Sequence, residues 1–309
     1  MVNIFIDGSA GTTGLRIYDR LSTRDDISLI KLPEELRKDE NARKEAINSA
    51  DIVFLCLPDD AARQAVSFVK NENTAVIDTS TAHRVSDGWV YGFPELTGKR
   101  QAILKSKRIA NPGCHASGFI ALIKPLVESG VINRETALNC FSVTGYSGGG
   151  KKMIADYETA NKSALLKAPR QYGLSQQHKH LKEMQIISGI DIPPAFCPVV
   201  ADFYSGMEVT VTLFKKDITA DISHIKEIYK NYYTGKLVHF DENADEGGFL
   251  SAAAFSGKDD MQISVYGNSE RILLTARYDN LGKGASGAAI QNMNILLSVD
   301  ETAGLNIGG

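Results

Sequence analysis

Short apolar runs alternate with helix-forming stretches along the first third of the chain. The apolar runs predict β-strands at residues 2–6, 27–32, 51–57 and 75–78. Helical spacing or helix-forming composition predicts helices between them, at residues 15–21, 34–49 and 61–70. The third apolar run is continuous, as in a parallel strand that is covered on both faces. This rhythm predicts an α/β fold built on a doubly wound parallel sheet.

The pattern changes in the rest of the chain. Apolar positions at helical spacing predict a helix at residues 115–129, with apolar side chains on one face and a bend at Pro125. Residues 206–214 and 262–266 alternate apolar and polar positions, which is typical of antiparallel strands with one solvent-exposed face. An Ala- and Gly-rich apolar run predicts a last helix at residues 284–298. We therefore expect a second, α+β domain built on a mostly antiparallel sheet.

The composition is that of a folded protein with two domains. The chain has 309 residues, of which 43% are hydrophobic and 23% are charged. Its formal net charge of −3 leaves no basic surplus that would favour a nucleic-acid partner. No apolar run approaches the roughly 20 residues of a membrane span, and the first residues show no basic region or cleavage site typical of an export signal. We predict neither a nucleic-acid nor a membrane partner.

The four cysteines, Cys56, Cys114, Cys140 and Cys197, form no Cys-x-x-Cys pair. Such sparse usage is typical of a reducing compartment, so we expect a cytoplasmic protein. Three of them lie in apolar surroundings and are interpreted as small structural side chains. Only Cys114 combines a turn, a predicted helix start and polar neighbours.

A glycine cluster, Gly8-Ser-Ala-Gly-Thr-Thr-Gly14, lies directly between the first predicted strand and its helix. Glycines at such a position make a tight turn, let the main chain approach a pyrophosphate and pack the helix on the strand. The phosphates would meet free N–H groups at the positive end of the helix. The spacing is GxxGxxG rather than GxGxxG, and a glycine-rich turn that binds nothing is the alternative. The predicted dinucleotide contacts of this loop are Gly8, Ser9, Gly11, Thr12, Thr13 and Gly14.

The residues alone leave the choice between NAD and NADP open. An NAD site usually has an acidic residue at the end of the second strand, where it binds the ribose diol. Here that strand ends in Lys31-Leu-Pro33, and Arg37 and Lys38 follow shortly afterwards. Either cation would suit a 2′-phosphate, and either would equally suit a solvated surface.

The position of Cys114 favours a nucleophilic thiol. Pro112 and Gly113 form a turn before it, and the positive end of the predicted helix favours the thiolate. A nicotinamide-binding domain together with such a thiol indicates oxidation of an aldehyde, or the reverse reduction, through a thioester. This chemistry also needs an acid or base near the sulfur and a pocket for the leaving anion.

Eight segments carry a resemblance to a known family. They are Gly8-Ser-Ala-Gly-Thr-Thr-Gly14, Phe54-Leu-Cys-Leu-Pro58, Asp78-Thr-Ser-Thr-Ala-His-Arg84, Tyr91-Gly-Phe-Pro-Glu-Leu96, Asn111-Pro-Gly-Cys114, Ser147-Gly-Gly-Gly-Lys151, Tyr172-Gly-Leu-Ser-Gln-Gln-His-Lys-His180 and Leu281-Gly-Lys-Gly-Ala-Ser-Gly-Ala-Ala289. In these segments the chain resembles the N-acetyl-γ-glutamyl-phosphate reductases, particularly the short-chain type, within the aspartate-semialdehyde dehydrogenase-like superfamily. The similarity runs along essentially the whole chain. One departure is His115, where many longer relatives carry tyrosine or another residue.

The resemblance implies NADPH-dependent reduction of N-acetyl-γ-glutamyl phosphate to N-acetylglutamate 5-semialdehyde and phosphate, a step of arginine biosynthesis. Cys114 would attack the acyl phosphate, phosphate would leave, and hydride from NADPH would reduce the thioester. NADP would in turn favour Arg37 or Lys38 as the contact of the 2′-phosphate. A homo-oligomer, either a dimer or a tetramer, is also expected.

The predicted domains follow from the same resemblance. Residues 1–113 would form a Rossmann-type NADP-binding domain, which a C-terminal helix at residues 284–309 completes. Residues 114–283 would carry catalysis, substrate binding and oligomerisation.

The resemblance also implies a pair of imidazoles, His178 and His180, beside the thiol. One would stabilise the thiolate or move a proton, and the other would orient the substrate oxygen, which suits a side chain with a pKa near 6.5. In an extended segment, residues two apart share a face. Metal binding by this pair is the weaker alternative, because no third histidine or partner cysteine is in register, and we predict no metal.

Further contacts are predicted around this centre. Cofactor contacts are expected at Ser80, Gly282, Lys283 and Gly284, and substrate contacts at Arg84, Ser147, Lys151 and Tyr172. For several of them a structural interpretation is open, namely a packed aromatic at 172, a flexible linker at residues 147–152 and a core helix start at residues 282–289.

Two other functions compete with the acyl-phosphate reductase. One is a dehydrogenase for a related substrate, such as aspartate semialdehyde or a carrier-linked glutamyl phosphate, which would need a different pocket for the α-nitrogen. The other is an NADP-binding regulator with an inert thiol. The presence of Cys114 together with His178 and His180 disfavours the regulator.

Overall fold

The computed structural model describes residues 1–308 and divides into two compact units. The first unit consists of Met1–Gly113 with Ala285–Leu305. The second consists of Cys114–Gly284 with the chain end from Asn306. No helix in residues 1–308 has the length and apolar character needed to cross a membrane.

The elements follow one another in an order that separates two sheets. Up to residue 113 they are β1 (Val2–Asp7), α1 (Thr12–Leu21), β2 (Ile27–Ile30), α2 (Glu40–Ser49), β3 (Ile52–Leu55), α3 (Asp59–Phe68), β4 (Ala75–Asp78), β5 (Val90–Tyr91), α4 (Lys99–Lys105) and β6 (Arg108–Ala110). After it they are α5 (Cys114–Glu128), β7 (Asn139–Gly145), α6 (Gly150–Glu158), β8 (Arg170–Gln171), α7 (Leu181–Ser188), β9 (Ala195–Ala201), β10 (Met207–Phe214), α8 (Ile222–Tyr232), β11 (Val238–Phe240), β12 (Met261–Gly267), β13 (Arg271–Tyr278) and α9 (Gly287–Leu296).

Short helical segments complete this list. Four are 3-10 helices, at Glu34–Leu36, Tyr146–Gly149, Ala164–Lys167 and Lys215–Asp217, and a π-helix covers Gly282–Ser286.

The first unit is a parallel sheet with the order β2-β1-β3-β4-β6-β5. Its two faces are covered by different helices. Ile4 and Ile6 of β1 pack with side chains of α1 and α9, whereas Phe5, between them, packs with side chains of α2 and α3. Every residue of β3 is buried, as its continuous apolar run predicted. The predicted doubly wound parallel sheet is therefore confirmed.

Two predicted elements of this unit differ in detail. The helix predicted over residues 34–49 is divided into the 3-10 turn Glu34–Leu36 and α2, because Asp39 caps α2 by accepting the main-chain N–H of Ala42 at 2.8 Å. The last predicted helix begins as the π-helix Gly282–Ser286 before the regular α9.

The second unit contains a mixed sheet with the order β11-β12-β13-β10-β7-β9-β8. Four of its neighbouring pairs are antiparallel, and the pairs β7–β9 and β11–β12 are parallel. The expected mostly antiparallel sheet is confirmed.

Helix α5 is buried more fully than an amphipathic helix. It packs against α7, α8, β10 and β13. Its side chains are therefore buried on almost every side, including those of His115 and Ser117. The prediction of a single apolar face was too narrow, since helices as well as strands cover α5. Pro125 lies inside the helix, as predicted.

Candidate active site

The glycine loop between β1 and α1 is shaped by two of its three glycines. Gly8 has a φ of +90°, and a Cβ there would lie 2.3 Å from the main-chain oxygen of Cys56. A Cβ at Gly14 would lie 2.5 Å from the oxygen of Gly8. At Gly11 the nearest atom would be 3.4 Å away, which is ordinary contact. The chain itself therefore requires glycine at 8 and 14, whereas a Cβ at 11 would make only ordinary contacts. The packing of the chain does not require glycine at 11, and its lack of a side chain suits the close approach of a ligand.

Helix α1 begins in a way that suits an anion. Gly11 is its N-cap, and no side chain caps the helix or places a negative charge in its first turn. The N–H groups of the first turn, which begins with Thr12 and Thr13, have no partner inside the helix and lie at its positive end. This end of the helix therefore fits the pyrophosphate of a dinucleotide.

A cavity of about 820 Å³ lies in the first unit beside this loop. It is lined by loop residues, including Gly8 and Ser9, and by residues that follow β2. Lys31, Arg37 and Lys38 line it together, so both predicted 2′-phosphate contacts face the cavity. Glu34 also lines it and lies 3.7 Å from the guanidinium of Arg37. The volume and cationic lining fit the adenosine end of a dinucleotide.

A buried ion pair at this cavity was not predicted from the sequence. Asp7 ends β1, and one of its oxygens accepts from Arg43 Nε at 3.1 Å and from Arg43 Nη2 at 2.8 Å. Both residues are buried and line the cavity. Burial raises the pKa of the Asp7 carboxyl, and the guanidinium opposes this rise only in part. The pair fixes α2 to the carboxyl end of β1.

Ser80 and Arg84 lie after β4 and make local contacts. The Ser80 hydroxyl donates to Asp78 at 2.8 Å, and His83 Nδ1 lies 2.6 Å from the same carboxylate. Arg84 is buried and donates to the main-chain oxygens of Asn111 and Thr79, at 3.0 and 3.2 Å. These two hydrogen bonds of Arg84 are with the main chain, and its predicted substrate contact stays a prediction.

Cys114 is the first residue of α5 and is half-buried. Its main-chain oxygen accepts from the Tyr278 hydroxyl at 2.6 Å, and that hydroxyl accepts from the Gly118 N–H at 3.0 Å. A Cβ at Gly284 would lie 3.1 Å from the Cβ of Cys114. The start of the helix is therefore held in place by β13 and by the π-helix.

A cluster of rings, His115, Tyr172, His178, His180 and Phe196, lies beside the thiol; we call it the imidazole cluster. The rings of His178 and His180 are 4.7 Å apart between centroids, and each lies within about 6 Å of the His115 ring. The two predicted histidines are thus brought together. Their segment is a turn rather than an extended strand, because the main-chain N–H of His180 donates to His178 Nδ1 at 3.2 Å and His180 is the N-cap of α7.

His115 links the cluster to the sheet. Its Nδ1 lies 2.7 Å from Ser142 Oγ, and its Nε2 lies 2.6 Å from the Tyr172 hydroxyl. Burial, with the nearby His178, lowers the pKa of His115 from 6.5 to about 3, so the ring is neutral at physiological pH. The pKa of the Tyr172 phenol is raised by burial and, to a smaller extent, by the charge of Cys114.

Glu183 is a further member of the site that sequence reasoning missed. It is buried in the first turn of α7, three residues after His180, and its Oε1 lies 4.0 Å from His180 Nε2. The spacing of three residues between His180 and Glu183 could have predicted this contact, because residues i and i+3 lie on the same side of a helix. No group of three or more His, Cys, Asp or Glu side chains in residues 1–308 is arranged to hold a metal ion.

The other predicted contact residues lie in the second unit, and they differ in how far their side chains are exposed to solvent. Ser147 is buried and accepts from Asn280 Nδ2 at 3.0 Å, whereas Lys151 is exposed on α6. Lys283 is buried, and a Cβ at Gly282 would lie 2.0 Å from the main-chain oxygen of Lys258. Gly282 therefore serves local packing, whatever else it contacts.

Comparison with known proteins connects both units to one family. Residues 114–280 match the family described as "Semialdehyde dehydrogenase, dimerisation domain", and residues 22–105 match "Semialdehyde dehydrogenase, NAD binding domain". The chain is 44% identical to N-acetyl-gamma-glutamyl-phosphate reductase 2 of Nostoc sp., over 98% of each chain. It is 43% identical to N-acetyl-gamma-glutamyl-phosphate reductase of Brucella suis, over 95% of this chain and 98% of the relative.

Solved structures with the same fold are more distant in sequence. Aspartate semialdehyde dehydrogenase II of Vibrio cholerae, complexed with ASA, has a TM-score of 0.74 at 18% identity and covers 96% of this chain and 98% of its own. Aspartate semialdehyde dehydrogenase of Candida albicans, with NADP, has a TM-score of 0.66 at 15% identity over 96% and 98%. At sequence identities of 15–18%, the similarity to these structures shows a shared fold and does not extend to their substrates.

Proposed function

The chain belongs to the semialdehyde dehydrogenase family, and we propose that it is an N-acetyl-γ-glutamyl-phosphate reductase of arginine biosynthesis. It reduces N-acetyl-γ-glutamyl phosphate to N-acetylglutamate 5-semialdehyde and phosphate. The observation that carries the choice of substrate is the identity of 44%, along nearly the whole chain, to a protein of that name. The distant likeness to aspartate semialdehyde dehydrogenases supports the fold and not their substrate.

The first step falls to Cys114. Its thiolate attacks the acyl-phosphate carbonyl, a carbon–sulfur bond forms, and the bond to the phosphate oxygen breaks, which leaves a thioester on the enzyme. The N-terminal position of Cys114 in α5 favours the thiolate. When bound, NADPH would supply the hydride that reduces the thioester to the aldehyde, and the sulfur of Cys114 would leave as the thiolate.

His178 and His180 are assigned to proton transfer and to orientation of the reacting oxygen. Support comes from their ring contacts with each other and with His115, the residue that follows Cys114. Glu183, near His180 Nε2, suits the imidazolium form of that ring. Substrate contacts are proposed at Tyr172, Ser147, Lys151 and Arg84.

NADP is the proposed cofactor. The uncapped start of α1 and the absence of a side chain at Gly11 suit its pyrophosphate, and Lys31, Arg37 and Lys38 in the adjoining cavity suit a 2′-phosphate. No acidic residue ends β2, where an NAD site would use one. Ser80, Lys283 and Gly284 are proposed as further contacts.

Self-association and a cytoplasmic location complete the proposal. Phe141, Leu273 and Phe214 are exposed on one face of the sheet in the second unit, because the pairings Thr210–Phe141 and Thr212–Leu273 place them on the same side. This apolar face supports a homo-oligomer, and the matched family is described as a dimerisation domain. Free cysteines, with Cys114 as nucleophile, suit the reducing cytoplasm.

The test is turnover in the oxidative direction with purified protein. We expect phosphate-dependent reduction of NADP by N-acetylglutamate 5-semialdehyde, with weaker reduction of NAD. Aspartate semialdehyde is the comparison substrate, and a preference for it would contradict the proposed substrate. Absence of turnover with both aldehydes, together with intact NADP binding, would favour the regulator.

A further inference from the structure

Three side chains, those of Ser142, His115 and Tyr172, form a hydrogen-bonded row that starts on the sheet of the second unit and passes the start of α5. The proposed reaction assigns no role to the middle one. Ser142 lies on β7, His115 follows Cys114 on α5, and Tyr172 follows β8. The two contacts of the His115 ring, at 2.7 and 2.6 Å, are both short and well within hydrogen-bond distance. Ser142 and His115 are buried, at 0% and 3% exposure, so their contact with each other is shielded from bulk water.

The buried hydroxyl of Ser142 decides which ring nitrogen carries the proton. Among residues 1–308, His115 Nδ1 is the hydrogen-bond partner of Ser142 Oγ. A buried O–H without an acceptor costs more than an unused lone pair, so the Ser142 hydroxyl donates to Nδ1. The neutral ring then carries its proton on Nε2, and this N–H donates to the phenol oxygen of Tyr172.

Because His115 donates to Tyr172, the phenol proton of Tyr172 is available for another acceptor. The phenol oxygen accepts from His115, and its own O–H therefore points away from that ring. The main chain of Tyr172 is also held, because its N–H donates to the Pro198 oxygen at 3.0 Å. A phenol that is fixed at both ends and lies near Cys114 is a preorganised hydrogen-bond donor.

We infer that His115 is a positioning residue, whose tautomer is set by Ser142 and which turns the Tyr172 hydroxyl toward the oxygen that becomes negative when Cys114 attacks. The inference rests on the proposed reduction through Cys114 and concerns the geometry of that step. Tyr172 keeps its proton throughout and stabilises the oxyanion by a hydrogen bond. A single donor of this kind contributes about 10²–10³-fold to kcat.

The first test measures the tautomer and needs no turnover. ¹⁵N NMR of the folded, labelled full chain distinguishes a protonated from an unprotonated ring nitrogen. We expect His115 to carry its proton on Nε2 in the wild type and to lose this fixed preference in Ser142→Ala. A wild-type ring protonated on Nδ1 would overturn the inference, even if the protein proved to reduce another substrate or none.

The second test compares two buried serines of the same sheet. Ser264 on β12 is buried and pairs with the Thr275 hydroxyl at 2.6 Å, so Ser264→Ala removes a similar contact that is not part of the row. We expect Ser142→Ala to lower kcat about tenfold, which is less than the loss expected on removal of the Tyr172 donor itself. The NADP affinity should not change. Ser264→Ala should leave kcat within about twofold. Equal effects of the two changes on kcat would contradict a role for the tautomer.

The third test asks whether His115 acts through Tyr172. His115→Phe fills the space without a donor and should lower kcat about 10–10²-fold, whereas His115→Gln, whose amide N–H can replace Nε2–H, should recover part of this loss. In a Tyr172→Phe background, neither His115→Phe nor Ser142→Ala should lower kcat further. Additive losses in that background would show that His115 and Ser142 act independently of the phenol.

Discussion

The glycine loop would offer main-chain groups to a dinucleotide, whereas the imidazole cluster would offer side chains from several elements to a substrate. In the loop, Gly8 and Gly14 shape a path that leaves the N–H groups of α1 available. In the cluster, His115 comes from α5, His178 and His180 from the turn before α7, and Phe196 from β9. A site made of main-chain groups is encoded in a few consecutive residues, whereas a site made of distant side chains depends on the whole second unit.

One buried polar contact from each unit shows a second difference. Asp7 and Arg43 are a buried pair of opposite charges, and the pKa of Asp7 is raised despite its partner. His115 is neutral, since its pKa is lowered to about 3, and it is satisfied by two hydroxyl groups. The loss of one partner should therefore leave an uncompensated charge at the Asp7–Arg43 pair and only an unmade hydrogen bond at His115.

The largest effect is expected at the thiol, because the proposed mechanism makes Cys114 the nucleophile. Cys114→Ser should lower turnover by at least about 10³-fold, because the hydroxyl is a far weaker nucleophile, while NADP affinity stays the same. Cys197→Ser is the matched control, since Cys197 is also half-buried and lies on β9. Steady-state kinetics and NADP titration measure both. Substantial turnover in Cys114→Ser, or equal loss in Cys197→Ser, would contradict the separation of nucleophile and dinucleotide site.

The difference between local and distant encoding explains what the sequence could predict. The loop was predicted because strand, glycines and helix are consecutive, and β3 because its burial on both faces leaves a continuous apolar run. The meeting of His178 with His180 was expected from the resemblance and from an assumed extended segment. The observed turn brings them together by another route, which sequence spacing does not reveal.

Other parts of the site were hidden for the same physical reason. Ser142 contacts His115 only because β7 lies beneath the start of α5, and nothing in the local sequence of β7 indicates this. Arg43 was one cation among many in a polar stretch until the fold placed it on Asp7. Asp39, by contrast, was visible as a helix-capping residue, and the single long helix predicted over residues 34–49 overlooked it.

Removal of the buried cation should have the second largest effect. Arg43→Met leaves the Asp7 carboxyl buried without its partner and should lower the free energy of unfolding by about 3–5 kcal/mol. The double variant Asp7→Asn with Arg43→Met should recover part of this loss, because no buried charge remains. Urea unfolding curves measure both. A double variant as unstable as Arg43→Met alone would show that packing of α2, and not the buried charge, is what Arg43 supplies.

Substitutions in the glycine loop should have smaller effects, and they should distinguish a loss of stability from a loss of NADP affinity. Gly8→Ala forces a Cβ to within 2.3 Å of the Cys56 oxygen at a positive φ, so we expect a loss of about 2–3 kcal/mol in stability. Gly11→Ala meets no such contact and should change stability by less than about 1 kcal/mol, while it weakens NADP binding by obstructing the approach of the pyrophosphate. Thermal unfolding and NADP titration distinguish them. Unchanged NADP affinity in Gly11→Ala would remove the support for a phosphate at this position.

The smallest effect concerns the neutral ring and its dependence on pH. The unfolded chain binds a proton at His115 below about pH 6.5, whereas the folded chain does so only near pH 3, so the unfolded state binds more protons between these values. Acidification in this window therefore lowers the stability of the folded state, by about 1–2 kcal/mol between pH 6.5 and pH 5 from this residue. His115→Gln cannot titrate, and the difference in free energy of unfolding between wild type and variant should shrink as the pH falls. Urea unfolding at several pH values measures this difference. A constant difference would mean that the pKa of His115 does not change on folding, so that the ring takes up its proton near pH 6.5 in the folded protein and becomes a buried charge below that pH.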